Sequence, residues 1–137
     1  MHPVKDQHSC GACWAFAANS AAEGTLAKKM GTSPIHMSEQ QMVDCTLRAS
    51  EGGTPYDRDG DSLGPKDYGG KGCSGAWMWE AWEFQKDHGV MLEEDYPYES
   101  GRTGQEYTCR HDMSKVMGYI SHWERMSSVA HMKNVVQ

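Results

Sequence analysis

Two polar side chains near the start of the chain have the types and the spacing that acyl transfer needs. Cys13 is the first residue of a predicted helix, and the N–H groups at a helix N-terminus favour the reactive thiolate over the thiol. Gln7 lies six residues upstream, and a side-chain amide there can stabilise negative charge on a carbonyl oxygen under attack. Cys13 is therefore a candidate nucleophile and Gln7 a candidate oxyanion donor.

The helix that carries Cys13 is predicted over residues 13–30. Its alanines are strong helix formers, and Gly31 is placed to end it. Because Trp14, Phe16 and the alanines leave it mostly apolar, we expect a buried helix. It must hold the thiol at its N-terminal end.

Two more helices follow. Ser38 is the predicted N-cap of a short helix ending near Asp44, with Gln41 reaching back to complete a capping box. A third helix is predicted over residues 75–88, with Gly89 after it. Its apolar stripe consists of Trp77, Met78, Ala81 and Trp82.

The other segments are a long loop and a mixed C-terminal part. Residues 46–72 hold seven glycines and no periodic pattern, which predicts a long loop. Residues 115–121 are a predicted strand, and residues 127–136 a short helix. The chain is thus predicted to be mainly α within the α+β class.

Composition excludes some function classes. A net charge of −6 and no Lys/Arg-rich run argue against nucleic acid as a partner. No apolar stretch reaches the roughly 18 residues of a membrane helix, and no signal-peptide pattern opens the chain.

The five cysteines leave one unpaired in an oxidising compartment, whereas in a reducing compartment all five can be thiols or metal ligands.

Five segments in order give the chain its resemblance to a known family. The C-G-x-C-W pattern at a helix start is typical of papain-like cysteine peptidases, and the flanking segments extend the similarity to about residues 3 to 136. The chain resembles that family, of the cathepsin L and papain type. The segments are Val4–Gln7, Cys10–Phe16, Ser38–Cys45, Gly72–Gly75 and Asp95–Tyr98.

The resemblance implies peptide-bond hydrolysis through a thioester acyl-enzyme, without a cofactor. Cys13 matches the nucleophile and Gln7 the oxyanion-hole amide. It also implies a peptide or protein substrate and a secretory, lysosomal or vacuolar location. The implied disulfides are Cys10–Cys73 and Cys45–Cys109, which leave Cys13 free. The implied substrate-binding residues are Ser74, Gly75 and Ala76 for the peptide backbone, and Trp77 and Met78 as the wall of a pocket for an apolar or aromatic side chain.

The chain departs from the family pattern in its second half. The family's catalytic His and Asn follow the nucleophile by about 130–150 residues, a position beyond Gln137. We therefore expect a truncated peptidase, weakly active or inactive alone. Residues 1–114 would form the helical lobe, with 46–72 as a loop insertion, and residues 115–137 a crossing strand and short helix. We expect its exposed apolar face to self-associate as a homodimer or to meet a complementing lobe.

The histidines present offer no obvious replacement base. His8 alone lies near Cys13 in sequence, and an exposed loop residue is the favoured interpretation for it. Exposed polar positions are likewise favoured for His122 and His131 in the C-terminal part. His8 also replaces a residue that is usually small in the family, and Ala76 replaces a usual glycine.

Other functions stay open. Cys10-x-x-Cys13 is a two-ligand spacing of zinc and iron–sulfur proteins, with Cys73 and His8 as further candidate ligands of a metal-binding or electron-transfer site. A thioredoxin-type redox pair is a weaker alternative. A third alternative is an inactive module that binds peptides. The alternating acids Asp57, Asp59 and Asp61 resemble the start of a calcium loop, but a solvated acidic loop is favoured.

Overall fold

The computed structural model describes residues 5–31, 33, 35–47, 57–64 and 68–121. The fold is mainly α, as predicted, and it contains a small sheet of two short antiparallel strands. The helix predicted over 127–136 lies outside the described residues. In chain order the elements are α1 (Cys13–Met30), α2 (Glu39–Cys45), α3 (Met78–His88), β1 (Val90–Met91), α4 (Ser100–Thr103), a 3₁₀ turn (Met113–Lys115) and β2 (Val116–Gly118).

Helix α1 has the predicted bounds. Gly31 ends it in the left-handed region, with φ 67°, and donates its N–H to Ala27 O. The prediction of a buried helix holds for one face only, because Ala17 and Ala21 are exposed. Alanine tolerates solvent as well as a core, so its abundance does not determine burial. The buried face consists of Trp14, Ala15, Ala18, Asn19, Ala22 and Glu23.

Helix α2 is buried along its whole length. Ser38 is its N-cap, as predicted, and its hydroxyl accepts the Gln41 N–H at 3.0 Å. The predicted return of the Gln41 side chain to complete a capping box is wrong. That amide instead donates to Gly89 O at 3.3 Å and accepts the Met91 N–H at 2.9 Å. Buried backbone groups at β1 need partners, and Gln41 supplies them.

Helix α3 begins at Met78, three residues later than predicted. Trp77 is extended, with φ −110° and ψ 150°, and the Glu80 carboxylate accepts its N–H at 3.0 Å. This cap fixes the helix start. Gly75, with φ 105°, belongs to the extended segment before it.

The predicted apolar stripe of α3 is half right. Ala81 is buried and Trp82 packs against the core, but the exposed fractions are 61% for Trp77 and 39% for Met78. The buried face contains Phe84 and Gln85 instead. These residues follow Ala81 at the i+3 and i+4 spacing that places side chains on one helix face.

Helices α1 and α3 pack on each other through both polar and apolar contacts. The Gln85 side chain donates to Asn19 Oδ1 at 2.7 Å, and the Trp82 indole donates to Ala18 O at 3.1 Å. Buried side chains from α1, α2, α3 and β1 form the core. Large side chains among them are Trp14, Met42, Phe84 and Met91, and the loop residues Tyr68 and Tyr96 join the same core.

The acidic loop has an internal role for its first carboxylate. Asp57 Oδ1 accepts the N–H groups of Asp59 at 2.9 Å and of Asp61 at 2.8 Å. Within the described ranges, no group of three or more His, Cys, Asp or Glu side chains is placed to hold a metal ion. In the same ranges, no helix combines the length and apolar content of a membrane span.

Candidate active site

Cys13 is the first residue of α1, and its thiol is free and exposed. The residue before it, Ala12, is buried and has no side-chain acceptor for the N–H groups of the first turn. Most helices place a polar N-cap there, which would compete for those donors. No N-cap side chain therefore competes with the Cys13 sulfur for the positive end of this helix.

The strand-like edge beside Cys13 is held by backbone pairing. The Gly11 N–H donates to Cys73 O at 2.9 Å, and Gly11 and Ser74 form a parallel bridge. The Cys10–Cys73 disulfide joins the same two segments. Residues 74 to 76 consequently lie alongside the residue pair that precedes the nucleophile.

The predicted substrate-binding residues are accessible. Ser74 is exposed, and a Cβ placed on Gly75 would meet no atom within 4 Å. Trp77 stacks on Trp79 with ring centroids 5.0 Å apart and an angle of 4°. Trp77 and Met78 give the edge an exposed apolar wall, and Trp79 is half-buried behind it.

The loop of Gln7 is anchored by hydrogen bonds to Tyr98 and Gly101. The Tyr98 hydroxyl donates to Gln7 O at 2.6 Å, and the Ser9 N–H donates to Gly101 O at 3.0 Å. A depression of about 650 Å³ opens beside this loop. Its lining residues are His8, Ser9, Tyr98, Glu99, Gly101 and Arg102.

His8 is not placed as a base for Cys13. Its φ is 54°, a left-handed conformation that is uncommon outside glycine. Its side chain is 63% exposed and its Nδ1 lies 3.6 Å from an Asp6 carboxylate oxygen. Across the part of the chain that the structure describes, no hydrogen bond joins a histidine to the Cys13 thiol.

Comparison with known proteins identifies this arrangement. Residues 1–137 match the family model described as "Papain family cysteine protease". The chain belongs to the papain family of cysteine proteases. It is 37% identical over 115 residues to "Digestive cysteine proteinase 3" of Homarus americanus, and the match covers 83% of this chain and 28% of that relative. The chain therefore spans well under half of the curated relative.

Solved structures of papain-family members share the fold. Procathepsin L 3 from the larval midgut of Tenebrio molitor is 35% identical with a TM-score of 0.66, over 88% of this chain and 32% of that one. The bromelain protease of Ananas comosus in complex with the E64 inhibitor is 30% identical with a TM-score of 0.69, over 98% and 52% of the two chains. The helical-lobe prediction is confirmed.

The cysteine pairing is the one that the papain-family resemblance implies. Disulfides join Cys10 to Cys73 and Cys45 to Cys109, and Cys13 is free. The metal alternative gains no support, because two of its three thiols are bonded to each other. His8, its further ligand, is exposed beside Asp6.

Sequence reasoning missed an ion pair between half-buried Lys5 and buried Glu39. Lys5 Nζ lies 2.6 Å from a Glu39 carboxylate oxygen and 3.4 Å from one of Glu23. Burial raises the pKa of Glu39 to about 7, although the Lys5 ammonium opposes this rise. Lys5 and Glu39 both lie in segments that carry the family resemblance, which is the one signal that pointed to them.

Replacement of Gly11 by alanine is expected to disrupt the edge. A Cβ there would lie 2.5 Å from Cys73 O, so Gly11→Ala must displace one of the two paired backbones. We expect a loss of about 1–2 kcal/mol in unfolding free energy, measured by urea denaturation. Gly24→Ala is the control, because its Cβ meets nothing within 4 Å on helix α1, and it should stabilise by about 0.5–1 kcal/mol. Equal effects of the two variants would contradict the clash.

Proposed function

We propose that this chain supplies the nucleophile half of a cysteine-protease active site. The Cys13 sulfur bonds to the carbonyl carbon of a peptide, and the Gln7 amide donates to the developing oxyanion. The C–N bond then breaks, the amine leaves with a proton, and water hydrolyses the thioester. The observation that carries the proposal is the free, exposed Cys13 at an uncapped helix terminus beside the paired edge.

The general base comes from outside the described residues in this proposal. A thiolate–imidazolium pair needs a histidine within hydrogen-bond reach of the sulfur. A complementing β-rich lobe supplies it, either from the same polypeptide or from a separate chain. The described lobe by itself then reacts with electrophiles but turns peptides over slowly or not at all.

The substrate is an extended peptide with a large apolar side chain. Lys71 already bonds the Ser74 N–H and the Gly75 carbonyl oxygen, whereas the space beside Gly75 is open. We therefore expect a peptide strand to pair with the backbone groups of Ala76. The exposed side chains of Trp77 and Met78, with half-buried Trp79 stacked on Trp77, suit an apolar or aromatic side chain beside the strand-like edge. Self-association through exposed apolar side chains stays a prediction.

An oxidising compartment fits this proposal. Two disulfides persist in secreted, lysosomal or vacuolar surroundings. The lobster relative is named a digestive proteinase, which supports a secretory or digestive setting.

Covalent labelling tests the proposal. A dipeptidyl epoxide with phenylalanine beside the reactive end should add once, at Cys13, as the thiolate opens the ring and the oxygen takes a proton from water. We expect it to react at least about tenfold faster than an epoxide without the peptide, because bound peptide raises the local concentration of the electrophile. Intact mass and peptide mapping locate the adduct, and Cys13→Ala should remove it.

Iodoacetamide is the matched control reagent, since it reports the reactivity of the thiol without peptide recognition. Equal rates for the two epoxides, with normal iodoacetamide labelling, would overturn the peptidase assignment. Peptide binding by Cys13→Ala, with no adduct on the unmodified chain, would instead indicate an inactive peptide-binding module.

A further inference from the structure

We propose that Tyr98 is a positioning residue for the Gln7 amide, holding the loop of the oxyanion donor against the helix of the nucleophile. This inference rests on the proposed function, and it adds a residue 91 positions from Gln7 in sequence. The structure places Tyr98 between the loop and α1, where it touches both.

The contact with the loop is a short hydrogen bond. The Tyr98 hydroxyl donates to the Gln7 backbone oxygen at 2.6 Å, in a half-buried position. Burial raises the pKa of Tyr98 to about 12, with Glu39 and Asp6 adding to the rise. The hydroxyl thus keeps its proton over the whole physiological range and remains a donor.

The contact with α1 is aromatic. The Tyr98 and Phe16 rings meet edge to face, with centroids 5.0 Å apart and an interplanar angle of 88°. Phe16 lies three residues after Cys13, on the first turn of the same helix. The Tyr98 N–H also donates to Glu93 Oε1 at 3.0 Å, which fixes its backbone. Tyr98 therefore links the backbone of Gln7 to the helix that carries Cys13.

Gly101 provides a second anchor for the loop of Gln7, beside Tyr98. The Ser9 N–H donates to Gly101 O at 3.0 Å. A Cβ on Gly101 would lie 2.8 Å from a Tyr98 ring carbon and 3.1 Å from Gln7 O, so the loop rests directly on this glycine. Anchoring on both sides of His8 explains how the loop holds His8 at a φ of 54°.

The oxyanion donor needs such support. A glutamine side chain has three rotatable bonds, and a preorganised donor stabilises the transition state without reorganising when charge develops. Fixing the peptide unit that follows Gln7 fixes the direction of its Cα–Cβ bond. Loss of the Tyr98 hydroxyl should therefore weaken oxyanion binding and leave the thiol unchanged.

A peptide aldehyde is the probe, used with the full 137-residue chain. The Cys13 sulfur adds to the aldehyde carbon and the electron pair moves to the oxygen, which occupies the oxyanion site. Gln7→Ala should raise the aldehyde Kd by about 100-fold. Tyr98→Phe keeps the ring and should raise it by about 3- to 10-fold, the usual effect of one hydrogen bond. The rate of iodoacetamide alkylation, which forms no oxyanion, should stay the same.

The double variant Gln7→Ala/Tyr98→Phe separates positioning from a structural role. If Tyr98 acts through Gln7, its replacement in the Gln7→Ala background should change the aldehyde Kd by less than about 1.5-fold. Tyr107→Phe is the matched control, because the Tyr107 hydroxyl donates to Thr103 Oγ1 at 2.7 Å on the exposed surface. It should bind the aldehyde like the unmodified chain.

Each outcome decides the inference. An unchanged Kd for Tyr98→Phe, or the same loss in both backgrounds, would overturn it while leaving the proposed function intact. No difference between Gln7→Ala and the unmodified chain would overturn both, since Gln7 would then not be the oxyanion donor. If Tyr98→Phe does not fold, Gly101→Ala tests the same loop, and a normal aldehyde Kd for that variant would count against the inference.

Discussion

The double variant Cys10→Ala/Cys73→Ala is expected to lose about 4 kcal/mol of unfolding free energy. The disulfide spans 63 residues. Closing a loop of that length lowers the conformational entropy of the unfolded chain, which is equivalent to about 4 kcal/mol of stability. The variant should also lose about tenfold or more in the peptidyl-epoxide rate at Cys13, because the edge paired with Gly11 loses its covalent link and a small displacement costs reactivity.

The second disulfide is a matched control for this prediction. Cys45–Cys109 spans 64 residues, so chain entropy predicts an equal loss of stability for Cys45→Ala/Cys109→Ala. It lies at the end of α2 rather than beside Cys13, and the labelling rate should change little while the variant is folded. Urea denaturation gives the first quantity and mass spectrometry the second. Equal losses of labelling in both variants would show that global stability, not the local link, maintains the site.

Replacement of Lys5 by methionine should destabilise the lobe in a pH-dependent way. Glu39 is 2% exposed and would lose its cation, whereas Lys5 is 23% exposed. Removing one partner of a buried pair costs about 3–5 kcal/mol, and the partial exposure of Lys5 places this case near 3 kcal/mol at pH 8. Methionine retains most of the apolar stem, so the change is mainly one of charge.

The raised pKa of Glu39 determines how the stability of the lobe changes with pH. Its usual value of 4.5 becomes about 7 in the folded lobe, so the folded state binds the proton more tightly than the unfolded state. The contribution of Glu39 to stability is fully present below pH 4.5 and is lost as the pH rises through 7. Glu93 and Tyr98 lie near the Glu39 carboxyl, and Glu23 shares its Lys5 partner. Without Lys5 the pKa of Glu39 rises further.

The deficit of Lys5→Met should therefore shrink by about 1 kcal/mol between pH 8 and pH 5, because Glu39, with its pKa at about 7, becomes neutral in the folded lobe. Urea denaturation at pH 5 and pH 8 measures it. Lys86→Met is the control, since Lys86 is exposed on α3, and it should change stability by less than about 0.5 kcal/mol at both values. A deficit that does not vary between pH 5 and pH 8 would rule out the ionised Glu39 as its cause.

Local sequence rules correctly predicted the features that depend on residues close together in the chain, such as the bounds and caps of helices. Helix α1 has the bounds expected from its alanines and Gly31, and Ser38 caps α2 as its position indicated. Backbone preferences and caps act over three or four residues, so they can be recognised in one window. Cys13 and Gln7 were likewise recognised from residue types six positions apart, and the family resemblance from five short segments.

The predictions were wrong where the local structure depends on contacts that neighbouring residues in the sequence do not reveal. The start of α3 at Met78 and the exposure of Trp77 follow from the Glu80 cap and from the extended segment at Gly75. The Gln41 amide serves β1, 50 residues away, rather than its own helix terminus. A buried backbone group takes whatever partner the fold brings to it, and spacing along the chain does not reveal that partner.

The sequence by itself determined the family, the nucleophile candidate and the mainly α class, because these depend on residue types at short spacing. Only the tertiary structure decided how the candidate site is supported. Lys5 meets Glu39 across 34 residues and Tyr98 meets Gln7 across 91. Such contacts form when packing brings far segments together, and the free energy that fixes them comes from burial of the whole lobe rather than from either segment.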